Sequence, residues 1–443
     1  MTQTILSRVE DDVTIELQEW QTRTPEPGNA LFGQYLDVDP MVRKTVQYLN
    51  SSRILSINEL RDGLAISSSS FVGKVALGKL HISVTPKIQG FRLLNLLRYG
   101  LQLRDLKIFP QSDYSSEQSS FQDLLIHQLY IEAIELLSRG LSRQYLRVEE
   151  EMSSPRGKLN LQRLARYGGV ERSELPCTYH PRLEDCLLNQ VLLEGLYLGS
   201  AITEDLSLRS RLRFLASSLQ DRVSRIRLDY DSITRVHREL NRLTTAYRPA
   251  ITLIELLVEA RGVSFDNSRA DASLPGFFFD MNRFFQRLLS RFLGENLRGY
   301  VVRDEYRLKG MMGYLPDHNP LRRRAPEPRP DYVITNGADI ISILDAKYRD
   351  LWDKPLPTDM LYQLAIYALS QEKGRSAIIL YPCVTEEARE ARIELRDPLY
   401  GGSRGYVVLR PVNLIKLEEL ITDHAPANRK EREKFARSLA IPQ

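Results

Sequence analysis

The feature that most constrains this chain is an apolar β-hairpin in its C-terminal part. Residues 331–335 and 340–348 have the β-branched and apolar composition of strands, and Asn336-Gly337 between them is the strongest short hairpin signal in the chain. The apolar residues Ile340, Ile341, Ile343 and Leu344 occupy both faces of the second strand and indicate that both faces are buried. The hairpin therefore predicts the inner part of a covered sheet.

Three charged residues converge at the open end of this hairpin. Folding it at its turn places Asp331 opposite the neighbourhood of Asp345, and the alternation of strand side chains points Asp345 and Lys347 to one face. Charged groups are rarely buried unless they are paired or bind a metal. Carboxylate oxygens suit Mg²⁺, which one or two carboxylates commonly hold together with a substrate phosphate. The pattern predicts hydrolysis of a phosphodiester, and a structural salt bridge between Asp345 and Lys347 is the alternative.

The rest of the chain predicts a multidomain α+β or α/β protein. Its 443 residues suffice for two to four domains. Residues 1–110 are expected to form a β-rich N-terminal domain, residues 111–270 a helical, Arg-rich region, and residues 275–443 a domain with a mixed sheet flanked by helices. Polar segments at 111–120 and 264–275 are predicted to be linkers.

Side-chain periodicity predicts the individual elements within these parts. Helices are expected over residues 91–103, 121–138, 183–198, 207–220, 232–247, 252–258, 281–297 and 360–369. Strands are expected over residues 13–17, 71–77, 80–84, 300–308, 331–335, 340–348 and 376–381.

The composition indicates the cellular compartment and the kinds of molecule that the chain could bind. The chain has 48 Arg against 13 Lys at a net charge of only +4, which indicates either a GC-rich genome or contacts with nucleic acid. Ten of these Arg lie between Ser207 and Arg248, where they form either a solvated helix face or a surface for phosphate or an acidic partner. No apolar run is long enough to span a membrane, and three cysteines indicate a reducing cytoplasm.

One apparent nucleotide motif fails where its chemistry lies. Gly73 to Lys79 matches most of a phosphate-binding loop, but Leu80 stands where a hydroxyl residue would hold magnesium, and a strand is expected to follow. We therefore expect no bound nucleotide in this chain.

The hairpin motif resembles a known nuclease pattern. Pro330-Asp331 followed by Asp345-x-Lys347 resembles the PD-(D/E)xK motif, and Gln363 with Tyr367 on the next helix resembles the Q-x-x-x-Y motif of its RecB-like branch. This resemblance implies that residues 275–443 form a restriction-endonuclease-like domain.

Further segments, spread from about Ile15 to Tyr381, resemble the McrC family. They are residues 73–87, 139–145, 156–158, 187–189 and 281–285. McrC is the nuclease subunit of McrBC-type modification-dependent restriction systems. Its N-terminal part docks into McrB, a hexameric AAA+ GTPase that recognises and translocates DNA, and stimulates GTP hydrolysis. The resemblance thus implies that residues 1–110 and 111–270 together dock a partner GTPase, while the C-terminal domain cuts double-stranded DNA.

The resemblance also implies roles for the site residues. Asp331 and Asp345 would hold Mg²⁺, and Lys347 would orient or activate the attacking water. Gln363 and Tyr367 would orient the substrate or the groups around the metal.

Gln286, on the first helix of the predicted nuclease domain, departs from the family pattern. Many relatives carry Glu at this position. A neutral amide can support a metal-bound water but adds no negative charge. Gln286 is therefore retained as a site residue, and Glu295 or Glu305 is expected to supply a third carboxylate.

A basic loop leads into Asp331. Its arginines, Arg322, Arg323, Arg324 and Arg329, are predicted to contact DNA phosphates, and an exposed surface loop without a binding role is the alternative.

Together these patterns predict a Mg²⁺-dependent endonuclease subunit that cleaves modified (methylated) foreign DNA and stimulates a partner GTPase. One alternative is a RecB-like repair nuclease that acts without a GTPase. The other is a catalytically inactive adaptor that activates a ring NTPase.

Overall fold

The fold is a mixed α/β architecture with several separate sheets. The computed structural model describes residues 12–103, 121–145, 147–166, 174–260, 276–371, 376–423 and 426–442. The chain divides into two compact units, one of Met1–Phe121 with Val263–Gln443 and the other of Gln122–Gly262. Within the ranges described, no helix is both long and apolar enough to cross a membrane. Both predicted linkers, residues 111–120 and 264–275, lie outside the described residues.

The N-terminal part of the first unit is rich in strands, as the alternating pattern predicts. Its elements are β1 (Val13–Gln18), β2 (Thr22–Arg23), α1 (Pro40–Ser51), β3 (Leu55–Leu60), β4 (Gly63–Ser68), β5 (Phe71–Leu77), β6 (Leu80–Thr85) and α2 (Gly90–Gly100). The strand expected after the false nucleotide motif is present. The periodicity did not predict α1, although Val42, Val46 and Leu49 are buried at helical spacing and Asp39 caps its first turn.

The second unit contains most of the middle helices and two small sheets. Its elements, with the helix that leads into it, are α3 (Phe121–Arg139), β7 (Gln144–Tyr145), β8 (Val148–Met152), β9 (Lys158–Leu159), α4 (Leu161–Arg166), β10 (Leu175–Tyr179), β11 (Arg182–Leu183), α5 (Leu187–Ile202), α6 (Leu206–Gln220), α7 (Tyr230–Glu239) and α8 (Arg248–Ala260). The helix predicted over 232–247 ends at Glu239. There the Asn241 side chain accepts from the backbone N–H groups of Leu243 and Thr244 and so stabilises a turn instead of a further helical turn.

Several arginines of this unit bind groups within it. Arg222 pairs with Glu184 and Arg225 with Glu194, each at 2.8 Å. Arg209 donates to the carbonyl of Thr203 at 2.6 Å. Part of the predicted basic surface therefore has a structural role.

The C-terminal part of the first unit is built on a six-stranded sheet. Its elements are β12 (Gly276–Asp280), α9 (Met281–Asn296), β13 (Val301–Asp304), β14 (Tyr332–Asn336), β15 (Asp339–Ala346), α10 (Thr358–Leu369), β16 (Ser376–Cys383), β17 (Ala391–Arg396), β18 (Ser403–Asn413), α11 (Leu414–Thr422) and α12 (Pro426–Ala440). The strand order is β13-β14-β15-β16-β18-β17, with β15, β16 and β18 parallel and the other neighbours antiparallel.

The burial of β15 only partly matches the prediction. Residues Ser342 to Ala346 are buried, as expected for an inner strand that is covered on both faces. Ile340 is 39% exposed, so the expectation of burial from the first residue onward is wrong. The strand predicted over 300–308 is also shorter and ends at Asp304.

A second sheet of the first unit combines strands from both ends of the chain. Its order is β1-β6-β5-β12, and Phe278 of β12 belongs to the N-terminal apolar core. Gly73 of β5 allows the two strands to approach, because a Cβ atom there would lie 1.9 Å from the carbonyl oxygen of Phe277. The division into three domains stays a prediction, and the structure shows that its first and third parts lie in one compact unit.

Candidate active site

The hairpin of β14 and β15 brings two carboxyl groups to one end of the sheet. Tyr332 lies opposite Leu344; Asp331 directly precedes β14, and Asp345 is the next residue of β15. At the other end, Gly337 in the turn has φ = 61°, a left-handed conformation that glycine adopts without steric cost. The turn chemistry and the strand register together therefore determine which charged residues meet.

An ammonium group lies between the two carboxylates. Lys347 Nζ is 3.0 Å from Asp345 Oδ2 and 3.6 Å from Asp331 Oδ2. The Asp345 side chain is almost fully buried, whereas those of Asp331 and Lys347 keep about a fifth of their surface accessible to solvent. The cluster is thus buried at Asp345 and partly open to solvent at Asp331 and Lys347.

Gln286 of α9 completes the cluster. Its Nε2 donates to Asp331 Oδ2 at 3.0 Å and to the carbonyl of Ala346 at 3.3 Å. The backbone N–H of Ala346 also donates to Asp331 Oδ2, at 2.8 Å. These donors fix the Asp331 carboxylate against the end of β15.

The electrostatics of the cluster are those of crowded negative charge. Burial, and next the charge of Asp331, raise the pKa of Asp345 from its usual range to about 6. Burial opposes the charged form of Lys347, but the attraction of the two carboxylates outweighs it and raises the pKa of Lys347. The Lys347 ammonium is therefore charged at neutral pH, and its single positive charge does not balance the two carboxyl groups beside it.

This donor set fits a hard divalent cation. Gln286 and the Ala346 N–H bond Asp331 through Oδ2, and Lys347 pairs with Asp345 through Oδ2, so the Oδ1 atoms take no part in these three contacts. Two carboxylates suffice for Mg²⁺, which retains several water ligands. A cation would also relieve the repulsion that raises the pKa of Asp345.

The expected third carboxylate does not join the cluster. Glu295 accepts from the Tyr99 hydroxyl and pairs with Arg291, while Glu305 pairs with Arg329. In the part of the chain that the structure describes, no group of three or more His, Cys, Asp or Glu side chains could hold a metal. Within the described ranges, Asp331 and Asp345 therefore have no third acidic side chain beside them with which to hold a metal.

Gln363 and Tyr367 lie one turn apart on α10, as their spacing predicts. Gln363 Nε2 donates to the Tyr367 hydroxyl at 2.9 Å. Burial raises the pKa of Tyr367, the hydrogen bond from Gln363 opposes this shift, and the charges of Asp345 and Asp331 raise the pKa further. Gln363 itself is exposed, so its amide can reach a bound molecule.

The basic loop divides into two kinds of arginine. Arg329 is tied to Glu305 by an ion pair of 2.7 Å and donates to the Glu305 carbonyl. Arg322, Arg323 and Arg324 are exposed, and none of them forms an ion pair with a described residue. These three guanidinium groups are therefore available to a ligand.

Two contacts of the site lacked a sequence signal. The Tyr332 hydroxyl donates to the carbonyl of Gln286 at 2.6 Å and thereby attaches α9 to the hairpin. Asn282 Oδ1 accepts from the backbone N–H of Tyr348 at 2.8 Å. Both join parts of the chain that are far apart in sequence, so periodicity could not reveal them.

Comparisons with known proteins agree with this architecture. The family model described as "McrBC 5-methylcytosine restriction system component" matches residues 66–382. A search of curated proteins gave no significant match. Among solved structures, a chain of the refined half-complex from the tetradecameric assembly of Thermococcus gammatolerans McrB AAA+ hexamers with bound McrC has a TM-score of 0.60 at 20% identity, over 96% of this chain and 99% of that chain. A chain of the T. gammatolerans McrBC complex, solved by cryo-EM, has a TM-score of 0.44 at 20% identity, over 66% of this chain and 90% of that chain. The first likeness shows a shared fold.

Proposed function

This chain belongs to the McrBC family, and from that premise we propose that it is the Mg²⁺-dependent DNA endonuclease subunit of a GTP-dependent restriction system. The observation that carries the proposal is the approach of Lys347 Nζ to Asp345 and Asp331, at 3.0 and 3.6 Å, at the end of a covered sheet. We further propose that residues 275–443 form a PD-(D/E)xK nuclease domain.

Each residue of the cluster has a distinct part in phosphodiester hydrolysis. Asp331 and Asp345 would hold Mg²⁺, which when bound supplies charge neutralisation at phosphorus and a more acidic water. Lys347 Nζ, charged and held by both carboxylates, is placed to hold the attacking water and to stabilise negative charge on the phosphate. Gln286 keeps Asp331 in position through its amide hydrogen bond.

The substrate and the partner follow from the surroundings of the site and from family membership. Arg322, Arg323 and Arg324 are exposed guanidinium groups on the loop that leads into Asp331, and we propose that they contact the phosphates of double-stranded DNA. We propose an AAA+ GTPase hexamer of the McrB type as the partner that this chain stimulates.

The loop assignment has its own test with an internal control. Replacing Arg322, Arg323 and Arg324 together by Ala should reduce the slope of log K against log salt for DNA binding by up to about 3. Arg329→Ala is the matched control: because this guanidinium is already paired, its loss should change the slope by less than about 0.5. Equal slopes for the triple variant and the wild type would remove the loop from the DNA interface.

The direct test of the function is cleavage by the complex. The chain and its partner GTPase are purified together and given methylated DNA, GTP and Mg²⁺, and wild type is compared with Asp345→Ala. We expect cleavage by the wild type and none by the variant, with GTP turnover unchanged. Equal cleavage by both would remove the site assignment, and cleavage confined to linear DNA would indicate a RecB-like, end-dependent nuclease.

Gln286 supports a second candidate, an inactive adaptor that activates a ring NTPase. An amide at this position contributes no charge to metal binding, and no third acidic side chain joins Asp331 and Asp345 within the described ranges. Stimulation of partner GTP turnover that survives Asp345→Ala, with no cleavage by the wild type under any divalent metal, would select this candidate.

A further inference from the structure

The segment that follows Lys347 is held by the N-terminal part of the same compact unit. Three residues far away in sequence make these contacts: Glu19 and Trp20, which follow β1, and Lys87, which follows β6. We call them the N-terminal clamp. The segment they hold is Tyr348 to Lys354, which begins one residue after the proposed catalytic lysine.

The first contact of the clamp is a buried hydrogen bond. Glu19 Oε1 accepts from the Tyr348 hydroxyl at 2.9 Å and from the backbone N–H of Lys87. Glu19 is 2% exposed and Tyr348 is 3% exposed, so water cannot replace the lost partner if one of them is removed.

Trp20 makes the second set of contacts from a strained backbone. Its φ is 62°, which is uncommon for a residue with a large side chain and persists only where neighbours impose it. Its indole Nε1 donates to the carbonyl of Tyr348 at 2.8 Å, and the Arg349 guanidinium lies 5.0 Å from the centre of its ring. Lys354 Nζ donates to the Trp20 carbonyl at 2.6 Å. Trp20 therefore forms hydrogen bonds with both ends of the segment, at Tyr348 and at Lys354.

The third contact is an ion pair, and α9 holds the segment from another side. Lys87 Nζ is 2.6 Å from Asp350 Oδ2. On α9, Asn282 Oδ1 accepts from the Tyr348 N–H, and the Phe285 ring packs edge-on against the Tyr348 ring with 5.8 Å between centroids. The peptide unit after Lys347 is thus bonded through its N–H to α9, and the next carbonyl is bonded to Trp20.

We propose that the N-terminal clamp is a positioning device for Lys347, through which the sheet of β1, β6, β5 and β12, called here the N-terminal sheet, controls the nuclease site. The clamp fixes the backbone directly after Lys347, and an ammonium that must lie 3.0 Å from Asp345 tolerates little displacement. Glu19 and Trp20 are positioning residues that act through Tyr348 and touch no reacting atom. A partner bound to the N-terminal sheet would act on cleavage through these contacts. This inference rests on the proposed nuclease function.

The test uses two variants that each remove one contact and keep the aromatic ring. Trp20→Phe loses the Nε1 donor, and Tyr348→Phe loses the hydroxyl that Glu19 accepts. Tyr99→Phe is the matched control, because Tyr99 of α2 also donates its hydroxyl to a glutamate, Glu295 of α9, at 2.6 Å, and also has an arginine over its ring. Its contacts join the same two parts of the chain but lie away from Lys347.

Two measurements are made on the full-length chain and its complex. In the complex with the partner GTPase, both clamp variants should lower the cleavage rate at saturating Mg²⁺ roughly tenfold to a hundredfold. The Mg²⁺ concentration for half-maximal rate and the stimulation of GTP turnover should not change. In the chain alone, hydrogen exchange of the amides of residues 348–354 should accelerate at least about tenfold, while those of β14 keep their rates.

Glu19 provides a conservative rescue. Glu19→Gln keeps the Oε1 acceptor and should retain the cleavage rate within about threefold, whereas Glu19→Ala removes the acceptor and should behave like Tyr348→Phe. A structural role alone would not separate these two variants at saturating Mg²⁺ and a temperature at which both are folded.

The outcomes are distinct. Wild-type exchange or wild-type cleavage in the clamp variants would overturn the proposal, and so would an equal loss of cleavage in Tyr99→Phe, which would indicate general destabilisation. If the wild type cleaves DNA and the clamp variants cleave it equally well, the clamp proposal is rejected and the nuclease function stands. Absence of cleavage in the wild type and all variants rejects the nuclease function, and the clamp's role with it.

Discussion

Strands β1 and β15 each lead to a buried carboxyl group, and the neighbours of the two groups differ. Glu19, which follows β1, accepts from a hydroxyl and a backbone N–H, and its Oε2 has no hydrogen-bond partner among the described residues. Asp345 of β15 lies beside the ammonium of Lys347 and the carboxylate of Asp331. Both residues are at most 3% exposed.

The difference distinguishes a carboxyl group that makes structural hydrogen bonds from the one that we propose binds metal. Burial raises the pKa of Glu19 to about 7, and the hydrogen bonds from the Lys87 N–H and the Tyr348 hydroxyl, together with the charge of Lys87, reduce this shift without removing it. For Asp345, whose pKa is about 6, the like charge of Asp331 adds to burial, and an added cation could remove that part. Burial alone therefore does not distinguish the two carboxyl groups; the like charge of Asp331 beside Asp345 does.

The largest expected contrast is in cleavage. Asp345→Asn and Glu19→Gln both replace a buried carboxyl by an amide of the same shape. Asp345→Asn removes a proposed metal ligand and should lower the cleavage rate at least about a thousandfold. Glu19→Gln keeps its acceptor and should stay within about threefold of the wild type. Single-turnover cleavage by the complex measures both, and similar losses in the two variants would erase the distinction.

The second contrast is in the pH dependence of stability. Both folded-state pKa values lie above those of the unfolded chain, so the folded state binds more protons and stability falls as pH rises, from about pH 4 to about 6 for Asp345 and to about 7 for Glu19. Each group should account for about 2–3 kcal/mol of this fall. Urea unfolding at pH 4.5 and pH 8 measures it.

Mg²⁺ distinguishes the two contributions. Saturating Mg²⁺ at pH 8 should restore the unfolding free energy lost through Asp345 but not that lost through Glu19, because only Asp345 lies beside a second carboxylate. The recovery should persist in Glu19→Gln and disappear in Asp345→Asn. Recovery of equal size in Asp345→Asn would show that the metal binds elsewhere.

The third contrast adds charge to the crowded site. Gln286→Glu would turn a donor to Asp331 Oδ2 into a third carboxylate, and without metal it should lower the free energy of unfolding by about 1–2 kcal/mol. Mg²⁺ should restore the loss and bind more tightly than to the wild type. Gln363→Glu, at an exposed position, is the control and should change stability little. Melting temperatures with and without Mg²⁺ test this prediction. A melting temperature of Gln286→Glu without metal that equals that of the wild type would contradict the charge balance inferred for the site.

The smallest contrast concerns ion pairs. Lys87 and Asp350 are only 2.6 Å apart, but the Lys87 side chain is 34% exposed. Lys87→Met should therefore cost less than about 1 kcal/mol of unfolding free energy in urea denaturation. A loss above about 3 kcal/mol would place this pair with buried pairs such as that of Lys347 and Asp345.

The sequence predicted the local parts of the candidate site well. The turn at Asn336-Gly337 and the two-residue period of the strands predicted that Asp331, Asp345 and Lys347 meet, and the structure places them together. The family resemblance is confirmed by the match to the McrBC family model over residues 66–382. The prediction that Glu295 or Glu305 supplies a third carboxylate failed, because the residues near a motif do not show in which direction a helix or loop points its side chains.

Long-range pairing was beyond the sequence. Nothing in the pattern of Gly276–Asp280 indicates that it pairs with Phe71–Leu77, because an apolar strand can join any apolar edge. The close approach at Gly73 has a sequence signal, a glycine within a strand, but that signal does not name the partner.

The sequence by itself determined the hairpin and the charges at its end, because turn chemistry and side-chain alternation act over a few residues. Tertiary structure decided what holds those charges in place. Glu19 and Tyr348 are 329 positions apart, and their bond exists only because two separately patterned surfaces are complementary in shape and in hydrogen-bonding groups. Periodicity encodes which face of an element is buried, whereas the partner of that face depends on the packing of the whole unit.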